Sequence, residues 1–385
     1  MAKRNFRSEL NAIDWDFTGE NGGGFSAYHW YPARFVPQLA GILIGYFSEP
    51  GETVLDPFVG SGTTLVEAYK LGRLGIGIDL NPIAALIARA KLTAVDQRGF
   101  SSYLRGLAER ARAGASLGLA ERHSHELPKR YEELQAWYHP ATLADLVAIW
   151  TALRGGRKSR YRDVGLAAFS SVLKSCSSQD QHWGWVCDNV RPRDLVAKPA
   201  MERFRGKLLE FARASQELED EAAVLQETPV DLRAMRVLTG DAITEMASLP
   251  AGAVDLVVTS PPYFSMTDYV LSQRLSNLWF DFDMDALRGR EIGARYRRFR
   301  KGAREEYLHE IRSAVAGVAR LLRRGRFACF VLGESPRRGP VLDTFAEICL
   351  HCGFRVREVI TRRVSPRRTL SPSLDCESVF LCQRR

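Results

Sequence analysis

The sequence predicts an α/β protein, an open and largely parallel sheet interrupted by a largely helical insert. Three stretches predict it. Residues 52–71 pass from an apolar strand through a glycine-rich turn into a helix. Residues 254–259, Val-Asp-Leu-Val-Val-Thr, form an apolar run of buried-strand type that stops at Ser260-Pro261-Pro262-Tyr263. From 96 to 229, long helical patterns rich in Ala, Leu, Arg and Glu displace the strand–helix alternation, which resumes near 236. These shifts divide the chain into a catalytic part, residues 1–95 and 230–385, and an insert, 96–229.

In chain order, residues 1–28 read as a polar arm and a loop at Gly22-Gly23-Gly24. His29-Trp30-Tyr31-Pro32-Ala33-Arg34-Phe35-Val36-Pro37 leads into an apolar helix over 38–47, with Pro37 well placed at its start. Arg34 is either a surface cation at that start or a partner for a ligand carboxylate. Asp56-Pro57-Phe58-Val59-Gly60-Ser61-Gly62-Thr63 then follows a strand and opens a helix, the layout of a Rossmann-like nucleotide site. Glycine lets the backbone approach a ligand closely, and a helix N-terminus favours negative charge. The GK[ST] ending of a phosphate loop is absent, and Gly60-Ser61-Gly62 lacks the third glycine of the dinucleotide fingerprint. The next strand, 75–79, ends in Asp79, about 20 residues past the glycine turn, where ribose hydroxyls are bound in such sheets. A helix N-cap is the plainer role for Asp79. A third strand, 237–241, ends in Asp241, which could cap the loop after it. Pro261 and Pro262 fix φ and restrict the residue before each. The Ser-Pro-Pro-Tyr loop is therefore stiff and lies at the carboxyl end of its strand, where open α/β sheets bind ligands.

Ser260-Pro261-Pro262-Tyr263 resembles the motif of the S-adenosylmethionine (SAM)-dependent amino-methyltransferases, in particular the cytosine-N4 branch. Asp56-Pro57-Phe58-x-Gly60-Ser61-Gly62-Thr63 resembles the SAM-binding motif of DNA amino-methyltransferases. Asp268-Tyr269 with the following Leu-Ser and Trp extends the likeness, which covers roughly residues 29–92 and 236–383. The resemblance implies a class I SAM-dependent methyltransferase sheet and transfer of methyl from SAM to the exocyclic N4 of cytosine in DNA, with the base flipped out of the duplex. It implies that Arg34, Asp56, Phe58, Gly60, Gly62, Thr63, Asp79 and Asp241 bind the cofactor, Arg34 at its carboxylate and Asp241 at its adenine amino group. It implies that Ser260 and Pro261 hold the target amine and that Tyr263 stacks on the base, with Pro262 stiffening the loop. Adenine-N6 methylation of DNA and methylation of an RNA base share this chemistry and stay open at this point.

The chain of 385 residues carries Lys+Arg 54 against Asp+Glu 45, a net charge of +9, and a pI near 9.3. That excess suits a polyanionic partner. Two stretches are the candidate DNA contacts: Gln179 to Arg193 in the insert, with polar amides, Trp183, Trp185 and arginines, and the basic run Arg295 to Arg304, with Tyr296 and Phe299 interleaved. The insert segment reads equally well as a helical cap with buried tryptophans, and the basic run as a solvated face. Arg362-Arg363 and Arg367-Arg368 could add phosphate contacts. Nothing in the sequence names a restriction endonuclease partner.

The seven cysteines are scattered, and Cys349-Leu350-His351-Cys352 has no tight second pair, so core thiols are expected rather than a metal. No run of about 18 apolar residues could span a bilayer. Met1-Ala2-Lys3-Arg4-Asn5-Phe6 lacks a signal's apolar core, so a cytoplasmic protein is expected.

Overall fold

A computed structural model of the chain describes residues 10, 12–17, 24–32, 36–116, 127–156, 159–179, 191–333, 341–364 and 376–385. Arg34, Arg367, Arg368 and most of the Gln179–Arg193 segment, residues 180–190, lie outside the described residues.

The principal elements, in order, are α1 (Pro37–Phe47), β1 (Thr53–Asp56), α2 (Thr63–Lys70), β2 (Leu74–Asp79) and α3 (Pro82–Lys91), then α4 (Gln97–Ser116), α5 (Pro140–Arg154), α6 (Arg162–Cys176) and α7 (Ala200–Leu225). The alternation resumes with β3 (Arg236–Thr239), α8 (Ala242–Ser248) and β4 (Val254–Thr259), and closes with α9 (Ala303–Leu321), β5 (Leu322–Gly333), α10 (Leu342–His351), β6 (Phe354–Arg363) and β7 (Cys376–Arg384). The strands form one sheet in the order β3-β2-β1-β4-β5-β7-β6. Neighbours from β3 to β5 are parallel, and β7 runs antiparallel to both β5 and β6.

β1 and β4 sit at the centre, which is why they read as near-continuous apolar runs. Every residue of β4 is buried. Its one charged residue, Asp255, accepts the Thr53 amide (3.0 Å) and pairs with Arg323 (2.7 Å). One core cluster fills one face of the sheet and runs without interruption into the helices α4–α7, joining Leu39, Val54 and Leu256 to Phe169, Phe211 and Trp279. Polar ties cross the same junction: His29 bonds Ser170 (2.9 Å), Ser170 bonds Ser276 (2.7 Å), and Arg89 pairs with Asp163 (2.8 Å). The insert helices thus brace the sheet from that face. The second cluster, with Met246, Tyr307, Ile311 and Phe345, fills the other.

The segment from Asp268 to Phe280 forms two short helices, Tyr269–Ser272 and Arg274–Trp279, parted at Gln273. β5 begins at Leu322 and carries an irregularity at Gly325, which sits at φ +79°. The two terminal strands are longer than their apolar centres, since the β6–β7 pairing continues through polar residues to Arg363 and Cys376. Finally, Arg362 is not a phosphate contact. Its side chain is 1% exposed and pairs with Glu377 at 2.8 Å.

Of the cysteines, Cys176, Cys329, Cys349 and Cys382 are buried free thiols. Among the described residues no cluster of His, Cys, Asp or Glu is arranged to hold a metal, and no helix is long and apolar enough to cross a membrane.

Candidate active site

A cleft opens at the carboxyl ends of the central strands, lined by Tyr31, Phe58, Gly60, Asp79, Ser260 and Glu291 among others. It gathers parts of the chain separated by more than 200 residues, as the parallel topology dictates.

The glycine turn forms its floor. Gly60 and Gly62 have φ of +50° and +86°, which L side chains rarely adopt. A Cβ on Gly62 would also come within 2.9 Å of the Ala88 methyl, so glycine lets the start of α2 close onto α3. Thr63, the first residue of α2, lines the cleft with Phe58.

Asp56 clamps this floor. Its Oδ1 accepts Thr259 Oγ1–H (2.6 Å) and the Phe58 amide (3.0 Å), and its Oδ2 accepts Thr64 Oγ1–H (2.7 Å). One carboxylate thereby ties the ends of β1 and β4 to the start of α2. Burial pushes its pKa up to about 6, partly offset by those three donors. Asp56 thus has a structural role at the cleft wall that it lines, and Oδ2, with a single donor, keeps a lone pair toward a ligand.

Asp79 takes the Gly60 amide on Oδ2 and the Asn81 amide on Oδ1, both at 2.8 Å. Asn81, not Asp79, caps α3, accepting the Ile83 amide at 3.0 Å. Burial raises the Asp79 pKa to about 7. Asp241 caps α8 through Oδ1, which accepts the Ile243 and Thr244 amides (3.1 and 3.0 Å), while its side chain also borders the cleft. Capping and facing a ligand are both open to it, since the two amide bonds use one oxygen.

The Ser-Pro-Pro-Tyr loop forms the opposite wall, with Ser260, Pro262 and Tyr263 on the cleft and Pro261 buried behind. Tyr307 Oη–H donates to the Pro262 carbonyl (3.1 Å). Ser265, just beyond, holds φ +59°, a strained value for a non-glycine residue, and its amide donates to the Gly293 carbonyl at 2.8 Å. Ser260 Oγ–H donates to Tyr263 Oη (3.2 Å), and Tyr263 Oη–H donates to Glu377 Oε1 (2.9 Å).

Sequence reasoning missed Glu291. It is 5% exposed and lines the cleft. Its Oε1 accepts the Tyr269 amide, whereas its buried Oε2 has no hydrogen-bond partner among the described residues. Burial pushes its pKa up to about 8. The stacked rings of Tyr31 and Tyr269, 6.2 Å apart, stand beside it. A lone glutamate in a basic segment gives no sequence signal of such a place.

The basic run is partly structural. Arg297 is 10% exposed and bonds Tyr296 Oη (3.0 Å), the carbonyls of Arg288 and Gly289, and Glu306. Arg300 pairs with Glu306 as well. Arg298, Phe299 and Lys301 remain exposed, with the Arg298 guanidinium 4.4 Å above the Phe299 ring.

A sheet in this order, with an antiparallel penultimate strand and a glycine turn after β1, defines a class I SAM-dependent methyltransferase fold. The sequence comparisons narrow that class. Residues 6–89 match the family described as DNA methylase. The Type II methyltransferase M.MvaI of Kocuria varians is 26% identical over 67% of this chain and 58% of its own. M.MjaII of Methanocaldococcus jannaschii is 37% identical over 22% of this chain and 17% of its own. The chain is thus similar to DNA methylases over residues 6–89 and, more distantly, to Type II methyltransferases. It spans less than two thirds of either relative's length. Among solved structures it is similar to the rRNA methyltransferase AviRa of Streptomyces viridochromogenes, with 14% identity, TM-score 0.36, and coverage of 94% of this chain and 90% of that one.

Proposed function

We propose that the protein is a SAM-dependent DNA methyltransferase that modifies an exocyclic base amine, and that the amine is N4 of cytosine. One observation carries this reading: the Ser260 hydroxyl and the glycine turn with Asp79 face a single cleft. An acceptor for the target amine and a nucleoside site therefore open onto shared space.

The chemistry of the cleft fits SAM. Asp79, Asp241 and Glu291 line it against one guanidinium, Arg290, which suits a cationic sulfonium and an ammonium better than a pyrophosphate. Asp79 would take the ribose hydroxyls on lone pairs its two amide donors leave over. Asp241 would use Oδ2 for the adenine amino group, and Phe58 would supply an apolar face. Bound SAM supplies an electrophilic methyl group.

The protein's own work is positional. The exocyclic nitrogen's lone pair is delocalised into the ring, so the amine is a poor nucleophile. Ser260 Oγ, on the cleft lining, would accept one of its N–H bonds and favour the pyramidal nitrogen that an in-line displacement requires, with Pro261 behind it stiffening the loop. Two prolines and the Tyr307 bond hold this acceptor rigidly, and fixed dipoles of this kind need no reorganisation during reaction. The Tyr263 ring would form the wall against the base. A base within a duplex cannot reach the cleft, so the target would be flipped out. Exposed Arg298, Phe299 and Lys301, with Arg191 and Arg193, would meet the DNA backbone. Serine in place of a carboxylate at position 260 supports cytosine-N4. The DNA methylase match and the Type II methyltransferase relatives support DNA as the substrate.

Calorimetric titration with SAM, followed by label transfer from SAM to undermodified genomic DNA, tests this. Saturable binding with labelled DNA is expected. Binding with label in RNA or protein alone would overturn the substrate, and absence of binding would overturn the reading as a whole.

A further inference from the structure

Behind the catalytic loop, outside the cleft, lies an ion pair that no motif assigns. Arg362 on β6 stands directly across from Glu377 on β7, and Arg362 Nη1 donates to Glu377 Oε2 at 2.8 Å. The pair is well buried, with side-chain exposures of 1% and 16%. Arg362 is fixed in turn, donating through Nε to the Trp15 carbonyl (2.9 Å) and lying 5.7 Å from the Phe17 ring centre.

We infer that the Arg362–Glu377 pair sets the hydrogen-bond polarity of the catalytic loop, making Ser260 an acceptor toward the cleft. This rests on the proposal that the cleft holds a base bearing an exocyclic amine. The Arg362 guanidinium donates to Glu377 Oε2, so the two meet as guanidinium donor and carboxylate acceptor. An ionised carboxylate can only accept. The Tyr263 hydroxyl must therefore give its single proton to Glu377 Oε1, 2.9 Å away. Its oxygen can then only accept from Ser260, 3.2 Å away. Burial and the nearby Glu377 also hold the Tyr263 phenol well above its ordinary pKa, so the proton is there to donate. Serine has one proton, and Tyr263 takes it. What Ser260 shows to the cleft is lone pairs, which match an N–H of an amine and repel a carbonyl oxygen. Glu377 and Arg362 are positioning residues, and through them a serine works as a one-way acceptor, as a carboxylate would.

Glu377→Gln tests this, because the amide can donate to Tyr263 and allow the chain to reverse. Tyr263→Phe cuts the chain while leaving the ion pair intact, and so reads the same link if the first variant folds poorly. The full-length protein is titrated by fluorescence anisotropy with oligo-dC and oligo-dU, which share a backbone and differ at position 4, amine against carbonyl, and at N3, acceptor against N–H. Wild type is expected to bind oligo-dC about fivefold more tightly, the worth of one neutral hydrogen bond. Each variant is expected to bring that ratio within about twofold of unity without changing the salt dependence. The double variant should do no more than Tyr263→Phe, because both act through one chain. A variant that keeps the wild-type ratio, effects that add in the double variant, or a wild type that transfers methyl label yet shows no preference would each overturn the inference. A wild type that neither prefers oligo-dC nor labels DNA would overturn the proposed function beneath it.

Discussion

Replacing Glu291 by glutamine should stabilise the unliganded protein, and increasingly so as pH rises. The carboxyl has a native pKa of about 8 against an ordinary 4.5, because burial disfavours its charge. A raised native pKa means that the folded state holds its proton where the unfolded state has lost it. Its effect on stability is absent below about pH 4.5, grows unfavourably as pH rises, and is complete above about pH 8. At about 1.36 kcal/mol per pKa unit, the ceiling for this one group is about 5 kcal/mol at pH 9, and under 1 kcal/mol at pH 5. Relaxation around the charge should leave roughly 2–4 kcal/mol of that. Glutamine has the same shape, carries no charge at any pH, and keeps an oxygen for the Tyr269 amide. Asp56 and Asp79 have raised pKa values too, but both proteins share them, so they cancel in the difference. Urea denaturation of both proteins at pH 5.5, 7 and 9 measures the effect. The stability gap should widen steadily in favour of Glu291→Gln. A gap that stays constant, or reverses, would refute the reasoning.

Ser260→Ala should lower turnover at least tenfold and leave SAM affinity within about twofold, because the loop is held by Pro262–Tyr307 and not by the serine. Equal loss of both in steady-state kinetics and calorimetry would make the serine structural. Asp79→Ala removes the acceptor of two amides, so thermal stability should fall and the SAM dissociation constant rise at least tenfold. An unchanged dissociation constant would remove the ribose assignment. In the basic run, Arg298→Ala with Lys301→Ala should weaken DNA binding and reduce the slope of log affinity against log salt by about 2. Arg297→Ala should act instead on stability, costing about 1–3 kcal/mol through the Arg288 and Gly289 carbonyls it leaves without a donor. An unaltered salt slope in the double variant would return the run to a solvated face.

The sheet was legible because central parallel strands are buried on both faces and read as apolar runs, punctuated here by Gly60, Gly62 and the proline pair. Asp79 could be placed at the cleft because it ends a strand, whereas the strand expected to end in Asp241 stops at Thr239 and Asp241 caps the helix that follows. Other features rest on distant contacts. Glu377 meets Tyr263 across 114 positions, and Arg362 meets Trp15 across 347, so no local pattern could announce them. Glu291 and Arg297 sit in a charged stretch that resembles a solvated face. Only the return of the chain past Tyr269 and Gly289 buries them. The clamp at Asp56 likewise has no local sign, since its three donors come from the glycine turn, α2 and β4 at once.

The central claim is that this cleft methylates the exocyclic amine of a DNA base. Undermodified genomic DNA, incubated with the protein and isotopically labelled SAM, digested to nucleosides and separated by mass spectrometry, tests it most directly. Label in N4-methylcytosine is the predicted result. Label in N6-methyladenine would contradict the reading of Ser260 while keeping the cleft and its cofactor, and unlabelled DNA would contradict the claim itself.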